Sequence, residues 1–370
     1  MQRNNLILIS SLEISGDEYA GWLIEQYKTI DPNTSFIGLG GDQSFKAGMH
    51  LTAHFKNHAT MNFLDIIKKI KIFRQLLNTL IDALDKHQPK AVVLIDSSSF
   101  NLRLAKAAHM RNIPVLYLIP PKVWAWASWR LKKIDRYCHQ LGCLYSFETD
   151  FYNSHNISAI SIQHPRNHLY SPSRSYVKGL IAICPGSRVS EIKDNLPQML
   201  DACKLILKQV PNAKFGLVIA SKRLKQLIKT ICEQNHPLNI EFIENDQKKY
   251  LAKVDVAIAT SGTLTYELML LKTPMVVVYR TSHKFNYYII KEWLFKPMWV
   301  SLPNLIAMRT VVPELLQNKM TANNITKEVL KILNTQSCRL DMVSQLNVLR
   351  QQSMSDDHKS LGKILYEFVT

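Results

Sequence analysis

The stretch "AIATSGTLTYELMLLKTPMVVVYR", residues 257–280, reads as strand, small-residue turn, helix and strand. The first apolar run ends at Thr260, and Ser261, Gly262 and Thr263 then precede a helical pattern that stops before Pro274. An apolar β-branched run follows, which reads as a second buried strand. A turn of this kind aims backbone N–H groups and two hydroxyls past the strand's end, where an anion is favoured. An ordinary N-cap in an α/β fold explains the same residues, and this stretch alone leaves both readings open.

Working outward, apolar runs alternate with helical patterns almost throughout. "NLILIS" (5–10), "SFIGLG" (35–40), "AVVLID" (91–96) and "PVLYLI" (114–119) read as buried parallel strands. A second series runs through "GLIAICPG" (179–186), "AKFGLVIAS" (213–221), "DVAIATSG" (255–262) and "PMVVVYR" (274–280). Amphipathic helices lie between them, including one over about 18–28 and one over about 101–110. The polar, Pro- and Ser-containing stretch 161–179 separates the two series. The pattern predicts an α/β protein of two Rossmann-like domains, with a cleft between the carboxyl ends of both sheets. Their expected bounds are 1–170 and 171–345, followed by a helical segment over 346–370 that has the option of returning to the first domain.

Composition narrows the partners. Forty-six Lys and Arg against 29 Asp and Glu give a net charge of +17, which favours anionic ligands or surfaces. The basic residues gather in patterns such as "FLDIIKKIKIFRQLL" (63–77), which suits either a solvated helix face or an anionic bilayer edge. No recognised nucleic-acid module accompanies the charge, so nucleic acid is not an expected partner. No apolar run reaches the roughly 18 residues of a membrane span. Cysteines 138, 143, 184, 203, 232 and 338 are scattered without metal spacing, which suggests reduced thiols and a cytoplasmic protein.

Several strand ends carry chemistry. In "CPGSRVSEI" (184–192), Pro185 and Gly186 turn the chain, Ser187 caps the next helix, and Arg188 stands at its start with Glu191 one turn on. A guanidinium there clamps a diphosphate bidentately, or else forms a local pair with Glu191. Glu267, four residues past Thr263, suits a ribose diol or simply complements the helix dipole. "LIDSSSFNLRLA" (94–105) puts Asp96 at a strand's end, as a general base or as the cap of an Asx-turn. The loop in "SLEISGDEYAG" (11–21) offers Glu13, Ser15, Gly16 and Asp17 but lacks the G-x-G-x-x-G dinucleotide fingerprint. In "IPPKVWAWASW" (119–129), Trp124, Trp126 and Trp129 suit sugar stacking, a membrane interface or core. His164 lies at the junction between the series, where a structural role is the commoner one. No carboxylate pair flanks the diphosphate loops, so neither a metal nor another cofactor is expected.

The residues go further and resemble the lipid-A-disaccharide synthases over nearly the whole chain. "EISGD" (13–17) is similar to that family's GExSGD loop, "IGLGGDQSFKAG" (37–48) to GxGGxxMxxxG, and "IDSSSFNLRLAK" (95–106) to IDxPDFNxxLAK. "PKVWAW" (121–126) and "SFETDFY" (146–152) resemble SPxVWAW and PFExxFY. "PGSRVSEI", the opening stretch and "VSLPNLIAMRTVVPELLQ" (300–317) match closely. The resemblance implies the GT-B glycosyltransferase architecture. It also implies transfer of 2,3-diacylglucosamine from UDP-2,3-diacylglucosamine to 2,3-diacylglucosamine 1-phosphate (lipid X), with inversion and release of UDP. Ser187, Arg188, Ser261, Gly262, Thr263, Glu267 and Asn304 would then hold the donor. Asp96 and Arg188 would be catalytic. Glu13, Ser15, Gly16, Asp17, Trp124 and His164 would be acceptor-side or loop residues. Such an enzyme would sit peripherally on the anionic cytoplasmic face of a Gram-negative inner membrane, as a monomer or an oligomer.

The chain departs from the pattern at Leu12, Asn62, Pro120, Gln163 and Met308, where the family has Gly, Gly, Ser, Gly and Gly, and at Ser99, where it has Asp. Only 12 glycines stand in 370 residues, where about 7% is usual, and most losses fall in the first half. A UDP-sugar 2-epimerase on the same fold, and a non-catalytic paralogue that binds UDP-sugar or lipid, are the alternative readings.

Overall fold

The computed structural model describes residues 4–54, 66–124, 128–163, 175–234, 238–281, 299–354 and 359–370, with 4, 14 and 66–70 described by their backbone alone. The chain divides into two compact units, Met1–Pro165 with Met354–Thr370, and Arg166–Ser353. Each is built on one parallel sheet covered by helices.

The first sheet contains β1 (Asn4–Ser11), β2 (Ser35–Gly40), β3 (His50–His54), β4 (Pro89–Ile95), β5 (Val115–Leu118), β6 (Gln140–Cys143) and β7 (Ala159–Ser161). Their spatial order is β3-β2-β1-β4-β5-β6-β7. Strand β1 shows why its sequence is continuously apolar. Leu6 and Leu8 enter the core under helices Ile66–His87 and Ser98–His109, while Ile7 and Ile9 enter the core under helix Ile14–Lys28. Side chains alternate across a strand, so burial on both faces demands an apolar residue at every position. The final helix, Leu361–Val369, packs on Ile14–Lys28, and the Gly362 N–H donates to Gln26 Oε1 at 3.1 Å.

The second sheet contains β8 (Leu180–Cys184), β9 (Lys214–Val218), β10 (Ile240–Ile243), β11 (Val256–Thr260), β12 (Met275–Tyr279) and β13 (Glu314–Leu316), ordered β10-β9-β8-β11-β12-β13. The eight strands read from apolar runs are present. Strands β3, β6, β7, β10 and β13 are additional, and each has only three to five residues. Such short segments carry too few alternations to stand out from helix or loop.

Strand order positions the site. In the first sheet the winding reverses between β1 and β4, which pair from Asn4↔Pro89 to Ser11↔Ile95. In the second it reverses between β8 and β11, with Ala259 opposite Cys184. The loops leaving the carboxyl ends of the two strands at a reversal diverge to opposite faces and open a crevice where ligands bind. Those four loops are 12–13, 96–97, 185–188 and 261–262. They hold or adjoin Glu13, Asp96, Ser187, Arg188, Ser261, Gly262 and Thr263. The six cysteines are free.

Candidate active site

In the first unit, Asp96 and Ser97 follow β4 with φ of +52° and +45°. The left-handed region is costly for residues with a Cβ, and Asp tolerates it better than most. Three contacts hold the turn. The Ser97 N–H donates to Asp96 Oδ1 at 2.8 Å, and the Asp96 carbonyl accepts from Asn101 Nδ2 at 2.8 Å and from the Tyr117 hydroxyl at 2.7 Å. Asn101 is itself buried, accepting from Ser10 Oγ at 2.8 Å and so tying the β4 loop to β1. The half-buried carboxylate of Asp96 is thus presented by a turn its neighbours dictate. The side chain braces its own turn at the carboxyl end of β4, beside the switch point.

Glu13 and Ser15 are exposed at the start of helix Ile14–Lys28, and Gly16 lies within its first turn. Asp17 has a different place. Its buried carboxylate accepts from the N–H groups of Gly41, Gln43 and Ser44 at 2.7, 2.8 and 3.2 Å, and from Ser44 Oγ at 2.5 Å. Four hydrogen bonds commit it to the start of helix Asp42–Lys46. Asp17→Ala would strand those donors, and we expect a loss on the order of 3 kcal/mol, read from the urea midpoint.

Trp124 is half-buried, with its Nε1–H donating to Glu148 Oε1 at 3.0 Å and its ring edge-on to Phe147 at 4.9 Å. The Tyr152 hydroxyl donates to the Pro121 carbonyl, so helix Ser146–Asn153 holds the segment after β5 at Pro121 and Trp124. Trp129 is 57% exposed, and Trp126 and His164 lie outside the described residues. Burial pushes the Glu148 carboxyl up to about 7, against the opposing pull of Lys122, Trp124 and the Tyr145 backbone. Between about pH 4.5 and 7 the folded protein therefore keeps a proton that the unfolded chain releases. Stability falls as pH rises through that window and levels off above it, by on the order of 2–3 kcal/mol in all. Glu148→Gln removes this dependence, so its melting temperature should gain on the parent between pH 5 and pH 8. A constant difference would refute the buried-proton account.

In the second unit, the chain turns after β8 through Gly186, whose φ is +111°. A Cβ there would lie 2.7 Å from Glu191 Oε2. Arg188 begins helix Val189–Gln209 and is paired with Glu191, Nη1 to Oε1 at 2.8 Å. Glu191 Oε2 also accepts from the N–H groups of Ser187 and Arg188 at 3.1 and 3.3 Å. The local Arg–Glu pair is present, and the chain's own carboxylate occupies the amides offered to an anion. Arg188 is nevertheless 78% exposed, and a pair so open to water is worth little.

At the β11 loop the structure separates three residues that the sequence groups together. Ser261 donates its hydroxyl to the Val300 carbonyl at 2.9 Å and its N–H to the Val278 carbonyl at 3.1 Å. Neither donor remains for a phosphate, so Ser261 supports the neighbouring loop instead. Gly262 is exposed, and a Cβ built on it meets nothing within 4 Å, which leaves open space beside its backbone. Thr263 opens helix Thr263–Leu270, whose first amides have no intrahelical acceptor. Glu267 lies half-buried one turn on.

Asn304 is fully buried and spends its amide inside the chain. Oδ1 accepts from Val311 and Val312 N–H at 2.7 and 2.9 Å, while Nδ2 donates to the Val312 carbonyl and to Glu314 Oε1 at 2.9 and 2.8 Å. Its place is the framework of the loop, not the donor pocket. Glu314, which sequence reading missed, is the centre of that framework, also receiving Val300 N–H, Ser301 N–H and Ser301 Oγ. Met308 stands in the left-handed region at φ +50°, a position glycine adopts without cost. Among the described residues no group of three His, Cys, Asp or Glu could hold a metal ion.

Two parallel sheets, each covered by helices and each with anion-ready loops at a switch point, define the GT-B fold class. Solved structures share the fold. A UGT transferase from Siraitia grosvenorii, solved in complex with UDP, superposes with a TM-score of 0.62 at 10% identity over 99% of both chains. A UDP-GlcNAc 2-epimerase from Neisseria meningitidis, bound to UDP-GlcNAc, gives 0.58 at 12% identity over 98% of both. Sequence narrows the class further, since residues 7–365 match the model of the lipid-A-disaccharide synthetase family. The lipid-A-disaccharide synthase of Coxiella burnetii is 31% identical, over 99% of each chain. The chain belongs to the lipid-A-disaccharide synthetase family.

Proposed function

We infer that this enzyme transfers 2,3-diacylglucosamine from UDP-2,3-diacylglucosamine to lipid X, giving the β-1,6 lipid A disaccharide 1-phosphate and UDP. The observation that carries the reading is the coincidence of family motif and switch point in both sheets. In the first unit Asp96 takes the proton of the acceptor's 6-hydroxyl, whose oxygen attacks the anomeric carbon of the donor. In the second, Arg188 exchanges Glu191 for the diphosphate, and the amides of Gly262 and Thr263 share the charge that develops on departing UDP. Glu267 receives the ribose. Incubating purified protein with both acylated sugars tests the reading, with disaccharide 1-phosphate and UDP expected in equal amounts. Free sugar released from UDP-N-acetylglucosamine alone would favour the epimerase instead.

Both substrates carry acyl chains, so we place the enzyme on the cytoplasmic face of an anionic inner membrane. No described helix is long and apolar enough to cross a membrane. Helix Ile66–His87 exposes Lys71, Phe73 and Arg74, while 63–65 of the basic-apolar stripe lie outside the described residues. Each basic residue near an anionic surface contributes about 1 kcal/mol, so the protein should float with anionic liposomes, less so as salt rises. Equal flotation with neutral liposomes would refute the electrostatic part.

A further inference from the structure

Arg130 reaches the turn that presents Asp96. Its Nη1 donates to Ser98 Oγ at 2.7 Å and its Nη2 to Ser99 Oγ at 3.4 Å. A serine oxygen that accepts from a guanidinium keeps its own proton to donate. Arg130, Ser98 and Ser99 therefore form a set of N–H and O–H donors, and the planar guanidinium fork suits phosphate oxygens in particular. Ser99 stands where the family's motif has aspartate, so at that position the chain lacks a carboxylate that would compete for the guanidinium. The set also sits at a defined spacing from Asp96. Ser98 is two residues on, and the intervening turn is held by Asn101 and Tyr117.

We propose that Arg130, with Ser98 and Ser99, binds the anomeric phosphate of the acceptor sugar while Asp96 meets its 6-hydroxyl. The proposal rests on the reaction inferred above and names the residues that select a phosphorylated acceptor. In the hexose, C1 and C5 flank the ring oxygen, so the anomeric phosphate and the 6-hydroxyl lie along one edge of the sugar, a separation that two residues of backbone can match. Arg130 is then a specificity-determining residue, whose loss removes charge-assisted contacts to phosphate and leaves the rest of the sugar's contacts in place.

The test compares 2,3-diacylglucosamine 1-phosphate with its dephosphorylated counterpart in the parent protein, Arg130→Ala and Arg130→Lys, at saturating donor. Arg130→Ala should lower kcat/KM for the phosphorylated acceptor by about 10- to 100-fold, mainly through KM, and lower that for the neutral acceptor far less. Arg130→Lys should recover part of the loss. An equal loss on both acceptors would overturn the proposal, since it would mark a structural role. Calorimetric binding of each acceptor in detergent, with UDP binding as the check on folding, separates this proposal from the reaction itself. Phosphate-selective weakening in Arg130→Ala without turnover in any protein supports the subsite while refuting the reaction. Equal binding of the phosphorylated acceptor by parent and variant refutes the subsite.

Discussion

Asp96→Asn should lower disaccharide formation by about 10²- to 10⁴-fold, the usual contribution of a general base, while UDP affinity stays within a few-fold. Asparagine is the informative substitution because of the backbone. At φ +52° it is among the few residues with a Cβ that the left-handed region accepts. Its Oδ1 can keep the bond from Ser97 N–H, and the Asp96 carbonyl keeps its bonds to Asn101 and Tyr117. The change therefore removes basicity and little else. The residues proposed to hold the donor belong to the other unit, which is why UDP titration should move little. Equal turnover in both proteins refutes Asp96 as the base. UDP binding without turnover in either favours a non-catalytic paralogue.

Arg188→Ala should reduce turnover by on the order of 10²-fold or more, because charge on the leaving diphosphate grows toward the transition state. Stability should barely change, since an exposed ion pair contributes little and Glu191 Oε2 still holds the amides of residues 187 and 188. Arg188→Lys should recover only part of the rate, because an ammonium lacks the two-pronged geometry of the guanidinium. The measurement is kcat from UDP release beside a urea melt. Unchanged kinetics with an unchanged melt would remove Arg188 from the leaving-group site.

The residues that the sequence left unread share one property. Asn101, Glu148, Asn195 and Glu314 are polar groups placed among apolar positions, and each serves as a bracket for a loop. Asn195 lies on the buried face of its helix, where it accepts from Arg280 N–H at 2.7 Å and donates to the Glu191 carbonyl at 2.7 Å. A polar residue at a core position of a helix is a signal available in sequence, because burial without a partner is costly. What that signal lacks is the partner's identity. Asp17, which the motif resemblance gave as an acceptor-side or loop residue, and Asn304, which it gave as a donor residue, show the converse, since both are hydrogen-bonded within the chain.

Strand and helix alternation, the apolar character of each inner strand and the chemistry of the strand-end loops were determined by sequence alone. Each is a local matter of period, turn residues and burial, written within some twenty residues. Strand order was decided only in the tertiary structure, and with it the adjacency of the β1 and β4 loops and of the β8 and β11 loops. So was the separation of Ser261, whose donors are consumed, from Gly262 and Thr263, which face open space and a helix start. Partners such as Ser10 and Asn101 stand 91 residues apart, and no local pattern encodes which distant atom will satisfy a buried donor. Packing makes that choice, because in a close-packed interior every buried polar atom must take the partner that the neighbouring element brings within reach.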